Sequence, residues 1–380
     1  MAETKSGTDS RYAGFRVTPW VHHCGGLVAR NRAFWIRLGD GETRLRAEEI
    51  AETRIEAPIF VSGLARSGTT ILLEVLARHP RVASHRYKDY PFLFTPFLWN
   101  RFLSFVPQGR QTARERSHGD GIAVSPDSPE AFEEVLWMAF FDSLHDPQVS
   151  NVLDGETSHP AFERFYADHL RKLLQVRGRS RYLAKANYNV TRLEYLLKVF
   201  PDARFVLPLR APLGQIASLV KQHRLFCEGE RRHPRALDHM RRIGHFEFGL
   251  DRRPVNVGDG AMPAILTAWE KGAEVEGWAR YWASLYGYLA GRLAQNPHLA
   301  EAVLVVRFEE LCAKPSEILT RVCEHCRLPG SARLVAEAAE LMRMPAYYRP
   351  DFSPTERATI ERLAGPVAGA FGYSDSQGGL

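Results

Sequence analysis

Cysteine and methionine are scarce, with 5 and 6 in 380 residues, and a sparse, odd cysteine count gives no disulfide framework. That agrees with a reducing compartment. No apolar run approaches the roughly 18 residues a spanning helix needs. Residues 1–10 are polar and lack the apolar stretch of a secretory leader. The expectation is a soluble, cytoplasmic protein with no integral membrane segment. A dominant charge is missing too, since 50 Lys and Arg against 44 Asp and Glu leave only +6. Anionic small ligands account for such an excess. Without zinc-finger spacing or an RNA-binding aromatic signature, nucleic acid is not an expected partner. His22-His23-Cys24 has no partners at ligand spacing, and Cys323-Glu324-His325-Cys326 is a lone pair of cysteines in an amphipathic stretch, so no metal is expected.

What is present is ordinary globular composition, 45% hydrophobic and 25% charged, enough to bury a sizeable core. Residues 1–56 read as an N-terminal appendage, with Phe34 to Leu38 and Thr43 to Leu45 forming a β-hairpin about Gly39-Asp40-Gly41. From residue 57 to 380, short apolar runs alternate with helical periodicities, which predicts one α/β domain. Its expected form is a P-loop-like three-layer fold, a central parallel sheet flanked by helices, with helical insertions. Strands are predicted at 58–62, 181–185, 203–209 and 302–306, and helices at 69–78, 190–199, 212–224, 128–144 and 263–296. Residues 227–260 break the pattern with seven arginines and three histidines (His233, His239, His245), and read as an insertion that closes over a site.

Gly63-Leu64-Ala65-Arg66-Ser67-Gly68-Thr69-Thr70 has the glycine spacing of a nucleotide-triphosphate loop, but Thr69 stands in the lysine position. Backbone N–H groups at a helix N-terminus bind an anion whatever the side chains. Without the lysine, a 5'-phosphate bearing one further anionic group fits better than a triphosphate. Arg66 and the hydroxyls of Ser67, Thr69 and Thr70 supply donors. Downstream, Arg210 ends a strand, and Ser218 lies eight residues on, about two helical turns.

Together these segments resemble the sulfotransferase superfamily, closest to bacterial and glycan-type members with an Arg-Ser-Gly-Thr-Thr loop. Val305 to Leu311 resembles the family's late strand and acidic segment. The resemblance implies a parallel five-stranded core and transfer of a sulfuryl group from 3'-phosphoadenosine 5'-phosphosulfate to a hydroxyl of a small-molecule or glycan acceptor, leaving 3'-phosphoadenosine 5'-phosphate. It implies that Arg66, Ser67, Gly68, Thr69 and Thr70 bind the 5' end, that Arg210 and Ser218 bind the 3'-phosphate, and that Arg66 and Lys185 stabilise developing charge. Two departures stand out: the Gly-rich C-terminal nucleotide segment of cytosolic animal enzymes is missing, and Asn187 occupies the place of their catalytic histidine.

The base must therefore come from elsewhere. Asp89 is the first candidate, because glycan-type relatives keep an acid at a similar distance after the loop. His118 with Asp120, in a glycine-flanked loop, is the second, and Glu133 or Glu134 the third. Two rival functions stay open: a P-loop kinase of a nucleotide or sugar, and a non-catalytic module that holds 3'-phosphoadenosine 5'-phosphate.

Overall fold

A computed structural model describes residues 12–106, 114–115, 118, 123–342 and 351–373. Its centre is a five-stranded sheet of β1 (Ile59–Val61), β2 (Val82–Ala83), β3 (Arg181–Lys185), β4 (Arg204–Leu209) and β5 (Val303–Arg307). The order is β2-β3-β1-β4-β5 with every pairing parallel, as the strand–helix alternation predicts. Because side chains alternate across a strand, each strand feeds two cores. Phe60, Tyr182 and Phe205 face one side, with the Phe60 and Phe205 rings stacked at 5.6 Å. Ile59, Val61, Leu183 and Val206 face the other, against the helices Thr69–Leu76 and Pro315–His325. The two layers bury β1 completely and β3 and β4 nearly so, which is why these runs carry no polar alternation.

Register places the site. Val61, the last residue of β1, pairs with Lys185, the last residue of β3, and with Val206 of β4. The loops that leave β1, β3 and β4 therefore emerge together at the carboxyl edge of the sheet, on either side of the strand where chain order reverses. In open α/β sheets this is where ligands bind.

Four expectations are corrected. Residues 32–45 form no hairpin: α1 (Pro19–Arg30) and α2 (Arg32–Leu45) are helices. The triplet that reads as a turn serves close packing instead. A Cβ on Gly39 would lie 2.6 Å from the carbonyl oxygen of Phe94, and Lys172 Nζ donates to the Gly39 carbonyl at 3.0 Å. Nor is this region an appendage, because Phe15 and Val28 are buried in the main core and Glu42 pairs with buried Lys172 at 3.1 Å. The stretch 128–144 is helical only over Glu133–Trp137, since its start is held extended, with the Glu130 N–H donating to the His85 carbonyl. Finally, 263–296 is two helices, Met262–Glu270 and Glu274–Gln295, broken at Gly272 (φ +75°). No helix among the described residues is long and apolar enough to cross a membrane.

Candidate active site

The loop after β1 is shaped by residues that only its fold explains. Gly63 (φ +136°) and Gly68 (φ +107°) both occupy backbone conformations that glycine favours. A Cβ on Gly68 would meet the Phe308 ring at 2.8 Å, and one on Gly63 the Pro208 carbonyl at 3.0 Å. Arg66 itself lies in the left-handed region at φ +70°, a conformation that costs a non-glycine residue roughly 1–3 kcal/mol and persists where the surroundings over-determine it.

Those surroundings are one face of α3 (Pro212–Arg232). Gln215, Ser218, Gln222 and Phe226 fall on a single stripe. Gln215 Nε2 donates to the carbonyls of Leu64 (3.2 Å) and Ala65 (3.0 Å), and Trp282 Nε1 in turn donates to Gln215 Oε1 at 2.9 Å. The loop's acceptors are thus taken up by the helix. Ser218 Oγ accepts from Arg66 Nε at 3.0 Å, which joins the two anion-binding elements read from sequence. Gln222 Nε2 donates to the His118 carbonyl at 3.2 Å, and the Phe226 ring lies 5.1 Å from the His118 ring.

Arg210 is buried, its guanidinium 5.3 Å above the Phe308 ring. It folds back along the helix start because Gly214 leaves room; a Cβ there would sit 3.2 Å from Arg210 Nε. Glu309 fixes this corner, accepting from the Ala211 N–H at 3.0 Å and from the Tyr373 hydroxyl at 2.8 Å. Two guanidinium groups, a serine hydroxyl and a glycine-cleared loop make a donor set suited to a ligand with two separated anionic ends.

On the other side of the loop, Thr69 Oγ1 donates to Asn187 Oδ1 at 3.3 Å, and Asn187 Nδ2 donates to Glu247 Oε1 at 2.8 Å. Burial would raise Glu247, yet His245, Lys185 and the Asn187 amide together hold its carboxyl below the usual range, so it stays ionised. Its other oxygen lies 3.5 Å from His245 Nδ1, and His245 Nε2 lies 3.4 Å from His118 Nε2. The His245 ring stacks on Phe226 at 5.0 Å, with the two ring planes almost parallel. The arginine-rich segment thus does reach the site, through His245 and Glu247 rather than through its arginines. Arg252 and Arg253 pair with Glu274 and Asp251.

The remaining base candidates lie in other networks. Asp89 is buried, accepts from Arg177 Nη2 at 2.6 Å and caps the Arg86 N–H at 2.8 Å. Glu134 is clamped by Arg192 (2.8 Å) and His145 (2.7 Å), which overcome its burial and hold it at about 2. Glu133 is buried among Tyr166, Tyr182 and Asn189, and burial raises it. Both glutamates are buried in the core rather than set on a solvated helix face. Asp120 lies outside the described residues. Glu247 escaped the sequence reading because, 60 positions from Asn187, it has no local signature.

A sulfotransferase family model matches residues 58–248, half of the chain. The omega-hydroxy-beta-dihydromenaquinone-9 sulfotransferases of Mycobacterium bovis and Mycobacterium tuberculosis are each 23% identical to it, over 88% of this chain and 80% of theirs. The crystal structure of sulfotransferase STF9 from Mycobacterium avium superposes with a TM-score of 0.52 at 16% identity, covering 96% of this chain and 89% of that one, and so shares the α/β fold. With the matched stretch running from β1 to the segment that carries Glu247, the chain belongs to the sulfotransferase family and is itself a sulfotransferase.

Proposed function

We propose that the donor is 3'-phosphoadenosine 5'-phosphosulfate and that the acceptor is a hydroxyl on a small molecule. The observation that carries this reading is the 3.0 Å contact between Arg66 and Ser218, since it joins a 5'-phosphate loop to a second anion site. Arg66, Ser67, Gly68, Thr69 and Thr70 would hold the 5' end, and Arg210 with Ser218 the 3'-phosphate. When bound, the donor supplies an activated sulfuryl group on a phosphate leaving group. Lys185, at the end of β3 beside the loop, provides fixed positive charge where that phosphate departs, and Arg66 adds a second. The His118–His245 pair takes the acceptor's proton, and the ionised Glu247 stabilises the imidazolium that forms. This reading replaces Asp89 as base and keeps His118. The walls beside the pair are Phe226 and Phe248, which suits an apolar acceptor. The mycobacterial relatives, named for a hydroxylated dihydromenaquinone, support a lipid-like acceptor over a saccharide.

A kinase is disfavoured because Thr69, in the lysine position, is engaged with Asn187. Calorimetric titration decides the donor, using 3'-phosphoadenosine 5'-phosphate, adenosine 5'-phosphate, and ATP with magnesium, on wild type and Arg210→Ala. Micromolar binding that needs the 3'-phosphate and Arg210 is expected. Binding of ATP with magnesium alone would sink the reading. An inert Lys185→Ala phenotype with unchanged binding would point instead to a non-catalytic module.

A further inference from the structure

The N-terminal helices carry a surface that the sulfuryl chemistry leaves unused. Trp20 and Phe34 are 54% and 57% exposed, and on α4 (Pro96–Phe105) Phe102 and Phe105 are 53% and 74% exposed. These are parts of one patch. The rings run from Trp20 to Phe92 (6.2 Å), from Phe92 to Trp35 (5.1 Å) and Phe34 (5.4 Å beyond), and from Phe92 to Trp99 (4.6 Å) and on to Phe102 (5.3 Å). Leu27 and Leu98, 50% and 46% exposed, extend it. A contiguous apolar face of this kind on three helices marks an interaction site.

Charge identifies the partner. At 100° per residue, Arg30 on α1, Arg37 on α2 and Arg101 on α4 each stand about 60–80° round from the exposed apolar stripe of their own helix. All three are exposed. Residues 12–39 and 90–106 contain no Asp or Glu at all. On α2 itself Asp40 is half-buried, while Glu42 and Asp89 are buried against Lys172 and Arg177. Exposed Trp and Phe, an arginine rim and two stretches free of acids are what a helix lying in the boundary of an anionic bilayer presents. Tryptophan and phenylalanine enter the headgroup–acyl boundary, while arginines reach lipid phosphates.

We infer that this face docks the enzyme on the surface of an anionic lipid bilayer, without any segment spanning it. The inference uses none of the residues of the sulfuryl-transfer site, so either can fail alone. The test is co-sedimentation of the full chain with vesicles of phosphatidylcholine, with and without phosphatidylglycerol. Wild type is compared with Trp20→Ser/Phe102→Ser/Phe105→Ser and with Arg30→Gln/Arg37→Gln/Arg101→Gln. Binding to the phosphatidylglycerol vesicles is expected, weakened about tenfold or more in both variants and by added salt. Unchanged far-UV circular dichroism and an unchanged urea midpoint certify that the variants are folded. Failure of wild type to bind at low salt overturns the inference, as does equal binding by all three proteins. A concentration-dependent dimer in sedimentation velocity, lost in the Trp20 variant and unaccompanied by vesicle binding, overturns it in favour of a second copy of the chain.

Discussion

The two halves of the site are built on different principles. The proposed donor half, Gly63 to Thr70 with Arg210 and Ser218, hangs from the ends of two adjacent parallel strands and the helices that follow them. Its members lie within two or three helical turns of a strand end, close enough for local backbone geometry to set where they emerge. The proposed acceptor half, His118, Asn187, His245 and Glu247, is gathered from three distant segments by single contacts of 2.8 to 3.5 Å. One helix face, from Gln215 to Phe226, spans both. The lesson is that phosphate recognition, which needs backbone donors and a helix start, can be written locally, whereas a proton acceptor matched to a particular hydroxyl need not be.

The sharpest break of this comparison comes at the border between the halves. Lys185→Ala removes fixed charge but leaves the phosphate loop, so kcat is expected to fall about a thousandfold with little change in affinity for 3'-phosphoadenosine 5'-phosphate. Single-turnover kinetics beside calorimetry measure both, and a loss confined to affinity would place Lys185 in binding only. His245→Ala should cost about a hundredfold in kcat, at the low end for a general base, because His118 remains within 3.4 Å. If His118→Ala and the double variant both match wild type, the base lies elsewhere. Glu247→Gln keeps the shape and the Asn187 contact but removes the charge, and about a tenfold loss is expected. An unchanged rate in that variant would show that the carboxylate only positions Asn187.

The smallest effect concerns stability. Burial, joined by neighbouring arginines, pushes His85, His223 and His239 down to about 4 from an ordinary 6.5. The unfolded chain then takes up protons first as the solution is acidified. Their contribution is complete above pH 6.5 and declines as the pH falls from there towards 4. Urea melts at pH 7.5, 6 and 5 should show the midpoint falling with pH, and His85→Gln, if it folds, should flatten that slope.

Legibility followed the range of the contacts. Strands Ile59–Val61, Arg181–Lys185 and Arg204–Leu209 were readable because buried parallel strands are continuous apolar runs. The Gly63–Thr70 loop was readable because glycine spacing encodes backbone conformation. Gly39-Asp40-Gly41 misled for a related reason: glycine marks either a turn or a close approach, and only the neighbouring Phe94 and Phe165 tell which. Asp89 misled because spacing after the loop does not reveal that Arg177 waits opposite it.

By itself, then, the sequence determined the strand–loop–helix units, the glycine-spaced first loop and the Arg210–Ser218 spacing, since each depends on backbone geometry within about two helical turns. Only the tertiary structure decided that Arg66 meets Ser218, that residues 12–52 are helices of the core, and that Glu247 and His245 stand over Asn187. The Glu247–Asn187 and Arg66–Ser218 contacts join residues 60 and 152 positions apart, and their partners are chosen by packing, which no local pattern records.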